Sequence, residues 1–237
     1  MINSPIKEQI RQYLYEVKDI SDINKKIIYF SNKFLGSKYI VSPLIGDKDI
    51  NESFVIRFDG FDCVTFVETI ITLSLAYNEN NFEKILKIIR YKENVISWNN
   101  RNHYTYEWLL NNQNLGYIKI VTFPEYEFQI NKKLNILNGY REIDSQINYI
   151  SLDLFNKMDM LLEFFHIPHH IAFGSFKENL DFFHVGIIVT EASNIVLYHS
   201  AKSLGGVVKE NIYDFIKRNE INGFMISKII KSNGDSI

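Results

Sequence analysis

Apolar residues recur at helical spacing through the first part of the chain. Residues 5–18 set Ile6, Ile10, Tyr13, Leu14 and Val17 on one stripe, and residues 22–35 predict a second helix, ending at Leu35 with Gly36 as C-cap. Residues 37–58 are loop-like, broken by Ser-Pro and Ile-Gly-Asp, with one short apolar piece at Phe54-Val55-Ile56. A third helix opens at Cys63 and presents Val64, Val67, Ile70, Ile71, Ser74 and Leu75, with Phe66 and Leu73 widening the face. That breadth predicts a helix buried on most sides. Asp62 suits its N-cap, and Glu68, early in the helix, suits the dipole. Residues 81–91 predict a fourth helix, with Phe82, Ile85, Leu86, Ile88 and Ile89 inward and Lys84, Lys87 and Arg90 outward on a solvated face.

The period then changes. Phe182–Thr190 and Ile195–Ser200 are β-branched and aromatic runs separated by Glu191-Ala192-Ser193-Asn194, the signature of a hairpin. Val207-Val208 and residues 224–230 are further strand candidates, with a helix near 211–219 between them. Helices first and antiparallel strands later predict an α+β fold. No repeat, low-complexity tract or composition shift marks a linker, so residues 1–237 read as one domain with residues 1–35 as N-terminal helices packed on it.

Composition narrows the classes. At 237 residues and 46% hydrophobic, the chain can bury a full core, and 18 Phe and 14 Tyr argue against disorder. A net charge of −2 leaves no electrostatic footprint for nucleic acid. No window approaches the roughly 18 uninterrupted apolar residues of a membrane span, and charges interleave the first residues where a signal peptide would be apolar. The expectation is a soluble protein without a signal peptide, either cytoplasmic or exported by a signal-independent route to act on the cell envelope.

The single cysteine forms no internal disulfide and by itself builds no thiolate metal site. It reads either as a small buried hydrophobe or as a nucleophile, since the positive end of a helix dipole lowers a thiol's pKa. A nucleophile needs a base, and the base needs an orienting group. Six histidines are available, and His184 and His199 lie on the two arms of the hairpin, where pairing could bring them to one face. Cys63, His184 and His199 are thus a candidate Cys–His–His triad, or three ordinary residues. His166, His169 and His170 form H-x-x-H-H, but Pro168 interrupts it and no H-E-x-x-H or cysteine partner accompanies it, so no metal and no cofactor are expected.

Five segments in order carry a resemblance: F-D-C-V-T-F-V-E-T, I-I-R-Y-K, R-N-H-Y-T-Y-E-W, H-V-G-I-I-V and L-Y-H-S-A-K-S-L-G-G-V-V, preceded by F-L-G-S-K-Y-I-V-S-P-L. Together, over about Phe34 to Ile230, they resemble the N-acetylmuramoyl-L-alanine amidase-like family of the NlpC-type, papain-like cysteine peptidases. The resemblance implies a circularly permuted papain-like fold, with an antiparallel sheet packed against helices and the nucleophile at the N-terminus of a central helix. It puts Cys63 on the nucleophile, His184 on the base and His199 on the third residue. It also marks Tyr39, Asp62, Arg101, His103, Tyr104 and Trp108 as substrate-binding candidates, by an arginine clamp on a carboxylate and rings against sugar faces. Tyr104 and Trp108 read equally as core aromatics. Asp181 resembles a family position without a clear role and reads also as a turn residue. Lys119-Ile120-Val121-Thr122 stands where the family often has an aspartate, and the His166–His170 segment is unusual for it.

The implied activity is cleavage of the amide between N-acetylmuramic acid and L-alanine in peptidoglycan or muropeptide fragments, through a thioester. Alternatives are a D-glutamyl–diaminopimelate endopeptidase, a non-catalytic module binding cell-wall fragments, and a lipid acyltransferase or thioesterase on the same fold. Own-wall recycling and delivery against another cell, with an immunity or secretion partner, both remain open at this point.

Overall fold

The computed structural model describes residues 4–230. Among these, the chain forms two compact units, one of residues 4–101 and 199–208, the other of residues 102–198 and 209–230. The chain passes between them at three points, two of which fall inside strands. The elements mix helices and strands, as the α+β expectation requires.

In the first unit, α1 (Ser4–Glu16), α2 (Ile23–Lys33), α3 (Cys63–Leu75) and α4 (Glu79–Arg90) surround a core in which α3 is central. It packs against α1, α2, α4 and the short strand β2 (Gly60–Phe61), and ten of its thirteen residues are buried. Strand β1 (Lys38–Tyr39) pairs parallel with β2 and antiparallel with the start of β9 (Gly206–Asn211). Aromatic rings close the core between helices and strand. Tyr13 meets Phe34 at 5.5 Å and Phe58 at 5.1 Å, and Phe34 meets Phe61 at 5.1 Å, all edge-on, the arrangement that ring quadrupoles favour.

Two details differ from the sequence reading. Helix α2 stops at Lys33 with Phe34 as C-cap, and Gly36 follows in the left-handed region at φ 82°. Arg90 does not face solvent. Its side chain and that of Glu68 are each only 3% exposed, and Arg90 Nε donates to Glu68 Oε2 at 2.7 Å while Nη1 donates to the Val55 carbonyl at 2.7 Å. The periodicity of α4 puts Lys84 and Lys87 outward, but its last residue turns inward because a buried carboxylate on α3 needs a partner. The Phe54-Val55-Ile56 piece stays irregular, held by this guanidinium.

The second unit is built on antiparallel strands in the order β7-β6-β10-β5-β4. These are β4 (Glu127–Leu134), β5 (Ile143–Ile150), β6 (His169–Gly174), β7 (Phe182–Glu191) and β10 (Phe224–Ile229), with β3 (Ile118–Val121) also on β10. Strand β8 (Asn194–Ala201) pairs with β7 as a hairpin, Ile188 opposite Leu197, through a two-residue turn in which Ala192 and Ser193 both have positive φ. Helices α6 (Met158–Phe164) and α7 (Ile212–Arg218) cover a core of Leu161, Phe165, Ile171, Phe173, Ile188, Leu197, Phe215 and Phe224. Helix α5 (Thr105–Asn114) lies against β3. No helix among the described residues is long and apolar enough to cross a membrane.

Replacing Arg90 by Met removes the guanidinium that faces the buried Glu68 carboxylate. The expected cost is about 3–5 kcal/mol, and adding Glu68→Gln recovers much of it by removing the buried charge. Urea unfolding of the single and double variants measures this. A single-variant loss below about 1 kcal/mol, the range of an exposed pair, would contradict it.

Candidate functional site

The Cys63 helix is fixed at its start by a capping box. Asp62, in extended conformation, accepts from Thr65 N at 2.8 Å through Oδ1, and Thr65 Oγ1 accepts from Asp62 N at 3.1 Å. Thr65 Oγ1 also donates to Asp62 Oδ1 at 2.7 Å. The Asp62 carboxylate is therefore occupied in holding the helix end. Cys63 takes the first helical position, half-buried, where the positive end of the dipole is concentrated.

Tyr39 comes to the same place through β-pairing, Tyr39 opposite Phe61 in the parallel β1–β2 ladder. Burial, then the fields of Cys63 and Asp62, push its hydroxyl up to about 12, so it stays a neutral donor at ordinary pH. Tyr39, Asp62 and Cys63 thus form one cluster. His199, buried at 1% exposure, belongs to this unit as well. The neighbouring Ser200, fully buried, donates from Oγ to the Phe61 carbonyl at 2.8 Å.

Arg101 lies in the first unit with its charge already engaged. Nη1 donates to Glu52 Oε1 at 3.0 Å and Nη2 to the Gly46 carbonyl at 3.2 Å, while the guanidinium carbon sits 4.7 Å from the Trp98 ring centre. The Tyr91 hydroxyl donates to the same Glu52 oxygen at 2.7 Å. Gly46 has φ 133°, and a Cβ there would stand 2.2 Å from Glu52 Oε2, so only glycine lets the loop close over this carboxylate. This node ties the segment before the Cys63 helix to the segment after α4.

The second unit holds the remaining candidates. His184, on β7 opposite Phe173 of β6, is half-buried with its ring 5.4 Å from Phe215. His103 lies edge-on to Tyr140 at 4.4 Å. Tyr104 is 1% exposed among Leu134 and Tyr140, and Trp108 is 5% exposed, 5.2 Å from the His170 ring. Both rings are core residues, the second of the two readings the sequence left open. His169 and His170 are consecutive on β6 and so point to opposite faces. His169 stacks on Phe164 at 4.6 Å, and His170 Nδ1 stands 3.1 Å from Ser227 Oγ. Burial holds them well below the usual imidazole range, His169 down to about 4 and His170 to about 3. Among the described residues, no group of three or more His, Cys, Asp or Glu is placed to hold a metal ion.

A profile of the N-acetylmuramoyl-L-alanine amidase-like family matches residues 29–224. The chain belongs to this family. Solved structures of similar fold include a protein of Legionella pneumophila at 22% identity, covering 95% of both chains with a TM-score of 0.82. An N-acetylmuramoyl-L-alanine amidase of Bacteroides uniformis, at 20% identity, covers 88% of this chain and 99% of its own with a TM-score of 0.70. A candidate xylanase of Bacteroides fragilis, at 21% identity, covers 85% of this chain and 100% of its own, also with a TM-score of 0.70. Among curated proteins none matches the chain.

Several residues of this amidase-like chain that shape the candidate site carried no sequence signal. Glu52, Tyr91 and Ser200 act through partners 39 to 139 positions away, which no local pattern encodes. Asp181 is more than a turn residue. Its Oδ2 accepts from Tyr106 N and its Oδ1 from Phe182 N, both at 2.7 Å, so it caps α5, whose own N-cap residue Tyr104 makes no side-chain cap. Lys132, 5% exposed, donates to the carbonyls of Ser175, Lys177 and Leu180 at 2.6, 2.7 and 2.9 Å, and fastens the loop that leads through Asp181 to His184.

Burial pushes the Asp181 carboxyl up to about 6, against the pull of its backbone N–H donors and Lys132. Between the unfolded value near 3.9 and about 6, the folded state binds more protons, so this group's contribution to stability is full below about pH 4 and is lost as pH rises through 6. The stability difference between wild type and Asp181→Asn should therefore shrink between about pH 4 and 6, by at most ~3 kcal/mol. Urea unfolding across that range reads it directly; a flat difference would contradict the shift.

Proposed function

We propose that this chain is a cysteine-dependent N-acetylmuramoyl-L-alanine amidase of the NlpC-type, papain-like superfamily, acting on peptidoglycan or muropeptide fragments as a single catalytic domain. The observation that carries the reading is Cys63 itself. The only thiol of the chain opens a thirteen-residue buried helix, behind a complete capping box and beside a neutral Tyr39 hydroxyl. Membership of the amidase-like family points to the substrate. The hairpin supports the histidines' part. Alternation along β7 puts His184 in phase with Ile188, alternation along β8 puts His199 in phase with Leu197, and Ile188 pairs with Leu197.

In this mechanism His184 takes the Cys63 thiol proton and the sulfur attacks the carbonyl carbon of the muramoyl lactyl group. Negative charge moves to the carbonyl oxygen, where the Cys63 backbone N–H at the helix start donates to it. Collapse of this tetrahedral species breaks the C–N bond, and His184 returns its proton to the departing alanyl nitrogen. A water then gives a proton to His184 and attacks the thioester, releasing the muramoyl carboxylate and regenerating the thiol. His199 orients His184 and supports its charged form. Tyr39, Asp62, Arg101 and His103 line the substrate path in this reading. Asp62 and Arg101 do so through the loops they hold, since both side chains are already bonded within the protein.

Digestion of defined muropeptides, followed by mass spectrometry, tests the reading. The wild type should release free peptides beginning with L-alanine, and Cys63→Ala should lower the rate by at least about 10³-fold, as loss of a covalent nucleophile does. Release of disaccharide-dipeptide instead would assign the same nucleophile to the D-glutamyl–diaminopimelate bond. Unchanged turnover by Cys63→Ala would remove the cysteine mechanism.

A further inference from the structure

We propose that Ser200 is a positioning residue for the cysteine reaction, setting the reach between His199 and Cys63 through its hydrogen bond to the Phe61 carbonyl. The inference rests on the cysteine reading above. Ser200 follows His199 directly, and Phe61 precedes Cys63 by two residues, so one bond of 2.8 Å links backbone next to each reactive side chain. Both anchor residues are fully buried, which denies the hydroxyl any water as substitute partner, while the Phe61 carbonyl also accepts from Ile40 N at 3.0 Å. The Cys63 side of the link is rigid. Phe61 is held on β1 by the β1–β2 ladder, its ring packs on Phe34 and Phe66, and Asp62 is locked by the capping box.

On the β8 side, the β7–β8 ladder runs from Glu191–Asn194 to Ile187–Tyr198, and β9 flanks the other edge of the strand. Within that sheet, Ser200 ties the strand end that carries His199 to Phe61. A side chain on the opposite face of the strand from Ser200 moves with the backbone between them, and a shift of about 1 Å at a reacting group costs on the order of 10²-fold in rate.

The test compares Ser200→Thr with Ser200→Val. The two side chains have the same shape and add the same methyl group to a filled site, so packing costs cancel and only the hydroxyl differs. Ser200→Ala serves as the milder variant if both larger ones unfold. Steady-state release of L-alanyl peptide, thermal unfolding, and the pH dependence of Cys63 alkylation by iodoacetamide are read for each. Relative to Ser200→Thr, Ser200→Val should lose roughly 10- to 100-fold in kcat with KM nearly unchanged. Its alkylation inflection should move up toward the value near 8.5 of a free thiol. A purely structural bond would lower the unfolding temperature of the valine variant and leave both inflection and kcat equal to those of the threonine variant; that result overturns the proposal. The wild type separates the two layers of the argument. If its own Cys63 alkylates as an ordinary thiol and Cys63→Ala keeps full activity, the cysteine reading fails first, and the role of Ser200 with it.

Discussion

The buried pair Glu68–Arg90 is the constraint on which the first unit depends. Helix α3 is apolar on nearly every side, and a carboxylate in its middle is tolerable only with a cation delivered to it. Arg90 reaches it from the last residue of α4 and spends its other arm on the Val55 carbonyl. One guanidinium thus sets the relation of two helices and an irregular loop. A methionine–leucine contact of the same volume would hold the helices as well or better, but it would not fix the rotation of α3 about its axis or the path of the loop. The rotation of α3 is what aims Cys63, five residues before Glu68.

The same device recurs wherever the chain runs without regular structure near a candidate residue. Glu52 gathers Arg101, Tyr91 and the Gly46 turn; Lys132 gathers three carbonyls of the loop before β7; Asp181 gathers two backbone donors and caps α5. Loops cannot satisfy their own polar groups as helices and strands do. A buried charge with several hydrogen-bonding directions satisfies many at once and, in doing so, gives the loop one shape. The cost appears in the titration of Asp181, which burial drags up toward 6 in spite of its partners.

These charges also explain what could be read from the sequence and what could not. The Cys63 helix, its Asp62 cap and the β7–β8 hairpin are local in sequence, written in spacing, capping residues and a short turn. The α+β class followed from them. Arg90 was misplaced because periodicity counts a charged residue as outward, and only the distant Glu68 reverses that. The stretch from residue 92 to 181 gave little, since Lys132 in β4 and Ser145 in β5 interrupt the apolar alternation of those strands, and β6 opens with two histidines that resemble ligands more than strand residues. His169 and His170 are strand residues, each absorbed by an aromatic neighbour on its own face. Ser200 is an ordinary serine in any local view.

The substrate-binding set shows the same limit more sharply. The motif R-N-H-Y-T-Y-E-W joins residues that the fold then divides: Arg101 closes the first unit, while His103, Tyr104 and Trp108 open the second. Tyr104 and Trp108 are spent on packing, and Arg101 and Asp62 on hydrogen bonds inside the protein. Beside those four, Tyr39 and His103 retain partly exposed side chains. An arginine that already holds a carboxylate is a poor clamp for a second one, because the incoming group would have to displace Glu52 and leave it buried with only the Tyr91 hydroxyl and no cation. Arg101 in this motif therefore reads as a residue that holds loops of the first unit, while His103 keeps the partial exposure that contact with a substrate requires.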